Sequence, residues 1–310
     1  MKYEILDVGR MDGKVAAHLL ALFTVIVWGL TFISTKNLLE SFTPIEVLVI
    51  RFFIGLIALF LLCPHLFRPN DRREELEFAL AGLFGVCFYF LFENFALMYT
   101  YASNVGVIVA VVPFFTALLS FVFFRQEERL GTWFFPGFII SMIGIGIVSF
   151  GSDGVDINLK GDLLALSACF MWAVYSVILR RISSRGYNTI QVTRRTFIYG
   201  LIFMVPIALM MGFDPDWGAL MDLFNLKDAA FLGVVASAIC YVTWASSIKR
   251  MGVVSTSQYI YLVPIITVIA SAILLGEPLT HLTVIGVAFT LAGLILSQRG
   301  AGISGNQDKS

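Results

Sequence analysis

The feature that most constrains this chain is a succession of apolar runs, each about as long as a bilayer is thick. A helix rises about 1.5 Å per residue, so roughly 20 mostly apolar residues cross a hydrocarbon core. Ten such runs can be marked, roughly at 16–36, 44–63, 76–99, 103–124, 132–150, 161–180, 189–212, 227–249, 254–275 and 281–298. Charged residues make up only 14% of the 310, against 58% hydrophobic, and the mean hydropathy is +0.88. Soluble domains carry about 25% charged residues, so the main solvent of this chain is lipid. The sequence predicts an all-α polytopic membrane protein with ten transmembrane helices. Formal net charge is zero, from 21 basic and 21 acidic residues. No global field draws nucleic acid.

The loops set the orientation. With the N-terminus inside, the inner set holds Lys2, Arg10, Lys14, Arg68, Arg72, Arg73, Arg125, Arg129, Arg180, Arg181, Arg185, Lys249, Arg250, Arg299 and Lys309, which is fifteen of the 21 basic residues. The outer set holds Lys36, Lys160 and Lys227. The positive-inside rule therefore predicts cytoplasmic termini at both ends. The polar stretch 1–14 reads as a cytoplasmic tail. The run after it is too long for a signal-peptide core and lacks an A-x-A cleavage site, so it reads as a retained span. Thr43-Pro44-Ile45-Glu46 has the form of a capping box with proline at the first helical position. Asp162 suits the N-cap of the sixth helix.

The halves resemble each other in order. LLALFTVIVWG at 19–29 matches LLALSACFMWA at 163–173 and aligns Trp28 with Trp172; FTPIEVLVIRFFIGLI at 42–57 matches YNTIQVTRRTFIYGLI at 187–202. VVPFFTALLS at 111–120 matches LVPIITVIAS at 262–271 and pairs Pro113 with Pro264. The predicted organisation is a first five-helix repeat at 15–150, an outer linker at 151–160, a second five-helix repeat at 161–299 and a cytoplasmic tail at 300–310. Five spans per repeat is an odd number, so the second repeat must be inverted relative to the first. Inverted repeats suit transport, because exchanging their conformations opens a central site to each side in turn.

The five-plus-five plan, with FFRQEERL after the fourth span and LLGEPLT after the ninth, resembles the drug/metabolite transporter superfamily. Within it, the chain is similar to the ten-helix EamA branch, which includes bacterial amino-acid and metabolite exporters. The resemblance covers about residues 15–299 and is most specific at QEERL and GEPLT. It implies a multi-pass bacterial inner-membrane protein, a cavity bounded by both repeats, and export as the direction.

Mid-span aromatic and hydroxyl side chains supply a candidate substrate pathway. Trp28 and Trp172 lie away from the interfacial belts where tryptophan usually sits. Thr31, Tyr89, Asn94, Tyr175, Tyr241, Trp244, Ser257 and Tyr261 accompany them. With little fixed charge, such a wall suits a neutral, zwitterionic or aromatic solute. Pro113 and Pro264, each about ten residues into its span, remove a backbone hydrogen bond and are expected to bend their helices as gates or cavity walls. Gly82, Gly85, Gly137, Gly144, Gly146, Gly286 and Gly293 read as close-packing positions.

Arg51 stands inside IEVLVIRFFIGLIALFLL, where the sole other charge is Glu46. Glu93 is the one deep acid of the third span. Counting from span ends puts both roughly 9 Å below the outer interface. Three arrangements fit: an Arg51–Glu93 structural pair, a cavity-facing role in binding charge or taking up a proton, or an Arg51 that snorkels to the headgroups. Lys36 is near enough in depth to join them. Arg194 and Arg195 read as snorkelling side chains.

Cys63, Cys87, Cys169 and Cys240 form no CxxC pair and read as small buried hydrophobes. His18, His65 and His281 are far apart, with no metal-ligand spacing. Neither cofactor nor catalytic residue is expected. The function predicted is alternating-access export of small metabolites such as amino acids, with proton coupling open. The alternative is a polytopic membrane enzyme acting on lipid-linked substrates, which would need convergent catalytic groups at one membrane face.

Overall fold

The computed structural model describes residues 13–65, 67, 69, 71–124, 132–150 and 159–297. The QEERL segment, the tails at 1–12 and 298–310, and most of the 151–160 linker lie outside them. Every regular element among the described residues is helical.

The first half comprises α1 (Gly13–Leu38), α2 (Pro44–Leu62), α3 (Arg72–Gly82), a π-helical stretch Leu83–Phe88, α4 (Tyr89–Tyr99), α5 (Ala102–Val109), α6 (Val112–Phe123) and α7 (Phe134–Phe150). The second comprises α8 (Leu159–Ser183), α9 (Thr189–Met210), the short α10 (Trp217–Leu220), α11 (Leu223–Ala230), a π-helical stretch Phe231–Ile239, α12 (Cys240–Met251), α13 (Val253–Ser257), a 3-10 stretch Gln258–Leu262, α14 (Val263–Leu274) and α15 (His281–Ser297).

Local sequence explains the helix starts. The Glu46 side chain reaches back to the Thr43 N–H (2.8 Å) as Pro44 opens α2. Asp71, Asn188, Asp216 and Asp222 each accept backbone N–H groups at their helix starts. Asp162 does not cap. The helix begins at Leu159, so Asp162 falls in its first turn, where a negative charge still complements the helix dipole.

Eight segments are long and apolar enough to cross a membrane: Val15–Leu38, Pro44–Leu62, Arg72–Tyr99, Ala102–Phe123, Leu159–Ser183, Thr189–Met210, Leu223–Met251 and Val253–Leu274. At the predicted fifth and tenth spans stand shorter apolar helices, Phe134–Val148 and His281–Ser297.

Four of the long segments are internally interrupted, in matched pairs. The third and eighth predicted spans carry the π-helical stretches. The fourth and ninth break ahead of a proline. Pro113 and Pro264 do not bend continuous helices, as the sequence suggested; each sits in the first turn of a new helix. There the N–H it lacks would have no helical partner in any case.

Partner choice shows an approximate twofold relation between the halves. α1 packs on α12 and α14, while its counterpart α8 packs on α4 and α6. α2 packs on the π stretch of the second half; α9 packs on α3 and the π stretch of the first. α7 lies along α15.

Glycine sets the closest of these approaches. A Cβ on Gly144 would sit 2.4 Å from Thr290 N, and one on Gly293 would sit 2.4 Å from Ser141 N. Gly137 and Gly286 are crowded in the same seam. Ser141 Oγ donates to Thr290 O (3.1 Å) across it. A second contact repeats by symmetry. A Cβ on Gly82 would meet Gly200 N at 2.6 Å, and one on Gly55 would meet Gly233 O at 2.9 Å. Small residues let membrane helices pack backbone to backbone, where lipid supplies no hydrophobic drive. The four cysteines are free, and Cys87, Cys169 and Cys240 are buried.

Candidate functional site

A cavity lies where the halves meet. It encloses about 410 Å³ of space between atoms, open solvent at its mouth included. Its wall carries three pairs related by the repeat: Trp28 with Trp172, Val109 with Ile260, and Val112 with Val263. Val112 and Val263 are the first residues of α6 and α14. Two helix N-termini, with their partial positive charge, therefore border the space. Thr31, Phe32, Tyr89 and Phe90 complete most of the wall.

Two charged residues line the same cavity, Arg51 and Glu93, each only 2% exposed. Arg51 Nε donates to Ser237 Oγ (2.7 Å), and the guanidinium carbon lies 4.2 Å from the Phe90 ring centroid. That burial rules out snorkelling. No ion pair joins Arg51 to Glu93; their attraction acts across a gap. Arg51 Nη1 and Glu93 Oε1 have no hydrogen-bond partner. The Tyr89 hydroxyl is close enough to the Glu93 carboxylate to interact with it.

Aromatic rings support the wall from behind. Trp28 meets Trp172 edge-on at 5.1 Å between centroids, and Trp244 at 4.9 Å. Tyr175 and Tyr241 pack on Trp172 at 5.0 and 5.6 Å. Two hydrogen bonds from this cluster cross between halves and end on the π stretches: Trp28 Nε1 donates to Ala236 O (3.1 Å), and Tyr241 OH to Gly85 O (2.6 Å). Gly85 and Ala236 are themselves repeat counterparts.

The candidate residues thus divide. Trp28, Thr31, Arg51, Tyr89, Glu93 and Trp172 share the cavity wall. Tyr175, Tyr241 and Trp244 form the buried layer behind it. Asn94 ties to α2 through Pro44 O (3.0 Å), and Ser257 Oγ bonds Val254 O (2.8 Å); neither lines the cavity, nor does the half-buried Tyr261. Lys36 does not join Arg51 and Glu93. It bonds Glu277 (3.3 Å) and Thr100 O (3.2 Å) at one end of the bundle.

Glu277, in the GEPLT motif, is the residue that sequence reasoning left without a role. Its carboxylate accepts from Ala102 N (2.9 Å), Ser103 N (3.0 Å) and Ser103 Oγ (2.7 Å), capping α5 from another element. Burial alone would raise its pKa. The Ser103 hydroxyl and backbone, the Ala102 N–H and the Lys36 charge outweigh burial and hold the pKa below the ordinary value. The signal was Gly276 ahead of it, at φ 66°, which turns the chain so that Glu277 faces α5.

The opposite end holds a second polar cluster. Arg195 pairs with Glu75 (2.7 Å), which also accepts from Tyr199; Arg185 pairs with Glu77 (2.6 Å); Tyr187 OH donates to Glu74 (2.5 Å). Arg194 donates to the carbonyls of Cys63 and His65 just past α2. Arg194 and Arg195 thus bind protein partners instead of snorkelling. Among the described residues no three His, Cys, Asp or Glu side chains converge as metal ligands.

Comparison with known proteins places the chain. The model of the EamA-like transporter family matches residues 15–150 and again 159–298. An "Uncharacterized transporter" of Archaeoglobus fulgidus is 30% identical over 90% of this chain and 96% of its own. A "Probable amino-acid metabolite efflux pump" of Salmonella typhimurium is 28% identical over 93% of this chain and 95% of its own. A "Probable terminal-alkyne amino-acid exporter" of Streptantibioticus cattleyicolor is 25% identical over 89% and 91%. A solved crystal structure superposes with a TM-score of 0.68 over 92% of this chain and 96% of its own, at 19% identity, a likeness of fold alone. With both halves matched in turn, the chain belongs to the EamA-like transporter family, within the drug/metabolite transporter superfamily.

Proposed function

We propose that this membrane transporter exports small amino-acid-like metabolites by alternating access between two inverted repeats. The observation that carries the reading is the cavity itself, walled by repeat-related pairs from both halves. A site on the pseudo-symmetry axis is where exchanging the halves' conformations changes access without moving the bound solute. The names of the Salmonella and Streptantibioticus relatives point toward amino acids.

The proposed topology has ten spans and cytoplasmic termini, in a bacterial inner membrane. The two shorter helices are included as the fifth and tenth spans. Seventeen residues rise about 25 Å, a few ångströms short of a ~30 Å core. Local thinning accommodates that mismatch. Cysteine accessibility from each side of sealed vesicles tests the orientation. Labelling of single cysteines at 14 and 160 from the same side would overturn it.

The decisive assay is counterflow in proteoliposomes with a panel of neutral amino acids, aromatic amino acids and organic anions. Exchange of unaltered amino acids, verified by mass spectrometry, supports export chemistry. Chemical conversion of a lipid or a donor, with no solute exchange, supports a membrane enzyme. Proton coupling through Glu93 is the finer reading. Glu93→Gln should then remove the pH dependence of flux, and pH-independent flux in the unmodified protein would exclude it.

A further inference from the structure

Arg51 and Glu93 are buried in one cavity wall with opposite charges, yet do not touch. Ser237 occupies the Nε edge of the guanidinium and Phe90 packs on its face, leaving Nη1 unpartnered. Glu93 Oε1 is likewise buried without a hydrogen-bond partner. Buried charged groups with atoms left unpaired are costly, and a ligand that supplies the missing partners would offset that cost. Trp172 adds a third unpaired donor, Nε1, on a side chain that lines the cavity.

We propose that Arg51 and Glu93 together read a zwitterion, the guanidinium taking the solute's carboxylate and the Glu93 carboxylate taking its ammonium group. This rests on the transport reading above and names the substrate class of that site. A solute with one charge satisfies one residue and leaves the other buried and unpaired. A zwitterion satisfies both and keeps the loaded site neutral. The tryptophan walls then receive the remaining, largely apolar, part of the molecule. The recognition is directional, because the counterpart of Arg51 is Thr196 and that of Glu93 is Trp244. The second half offers no mirror-image charges.

The test uses full-length protein and four zwitterions: glycine, serine, leucine and phenylalanine. Each is compared with its methyl ester, which lacks the carboxylate, and its deaminated acid, which lacks the ammonium. Binding is measured by isothermal titration in detergent, and exchange by counterflow in proteoliposomes. At least one amino acid should bind about tenfold to hundredfold tighter than both of its analogues, the scale of one lost charged hydrogen bond. Arg51→Gln should erase the preference over the ester, and Glu93→Gln the preference over the acid. The double variant Arg51→Met, Glu93→Met should lose zwitterion selectivity.

Equal affinity of amino acids and their analogues for the unmodified protein would overturn the proposal without any variant having to fold. Wild-type selectivity in the double variant, eluting as a single species, would overturn it too. Exchange without charge selectivity keeps the transport reading and sinks this one. Selective binding without exchange does the reverse. No binding by any of the four overturns this proposal, while exchange of other panel members would leave export standing.

Discussion

The two halves of this transporter share a scaffold and differ in charge. Gly55 against Gly233 repeats as Gly200 against Gly82, the π stretches occupy matched positions, and each half starts a helix at a proline. Yet Arg51 and Glu93 belong to the first half alone, while their counterparts are Thr196 and Trp244. The shared features are backbone features, where symmetry lets one solution serve twice. The differing features line a cavity that both halves enclose once, so a charge supplied by one half need not be duplicated by the other. On the proposed reading of the cavity, scaffold and recognition separate along the repeat.

The sharpest way to break that separation is at the charged position. Arg51→Gln is expected to lower amino-acid exchange more than tenfold. Thr196→Val, which removes a hydroxyl bonded only to Val192 O of its own helix, should change exchange less than twofold. Equal losses in proteoliposome flux would mean that the halves contribute alike.

Next in size come the glycine twins. Gly82→Ala would drive a Cβ to 2.6 Å from Gly200 N, and Gly233→Ala would drive one to 2.6 Å from Ile54 Cβ. Each should destabilise by about 2–3 kcal/mol through overpacking, read as a drop in the thermal midpoint of detergent-purified protein. Marked inequality would show that the scaffold is less symmetric than its geometry.

Glu277 lacks a described twin, and its removal sharpens the contrast between the ends of the bundle. Glu277→Gln should cost about 2 kcal/mol, since hydrogen bonds to a charged acceptor are the stronger kind. Because the folded pKa is depressed, the stabilisation is present above the ordinary carboxylate value of 4.5 and is lost as pH falls through the lower native value. A thermal midpoint that falls with acid in this window for the native protein, and less steeply for Glu277→Gln, is the expected signature. Smallest is Tyr241→Phe, which loses one cross-half hydrogen bond to a π-stretch carbonyl, worth about 1 kcal/mol. Trp28→Phe loses the counterpart bond and should cost more, because it also shrinks a ring packed on Trp172 and Trp244.

The sequence carried the broad plan because bilayer thickness and repetition leave linear traces. Run lengths marked the helices, and aligned tryptophans and prolines marked the duplication. Angular information left no such trace. Counting residues put Arg51 and Glu93 at one depth, but depth does not say whether two side chains meet around the helix axes, and they do not. The same gap put Tyr175, Tyr241 and Trp244 behind the cavity wall instead of on it. Hydropathy cannot register the π stretches, since a change in hydrogen-bond spacing leaves composition untouched. The role of Glu277 depended on the start of α5, more than 170 residues away in the chain; Gly276 before it marks a turn but not the partner.

The π stretches have a consequence best put as angular phase. Successive residues of an α-helix advance about 100° around its axis, whereas a π turn, bonded i to i+5, advances less per residue. Everything after Leu83–Phe88 is therefore set back around the axis relative to an uninterrupted helix, and Tyr89, Phe90 and Glu93 all come after it. The direction in which Glu93 points is fixed by a miscount in the backbone upstream of it. Deleting one residue between 83 and 88 would let the α count resume and leave Glu93 at nearly its present angle, because one residue's advance of about 100° matches the lag of the π stretch; α spacing restored without a deletion would swing it by roughly that much. The site is thus timed as well as lined: its membership depends on where along two helices the spacing slips.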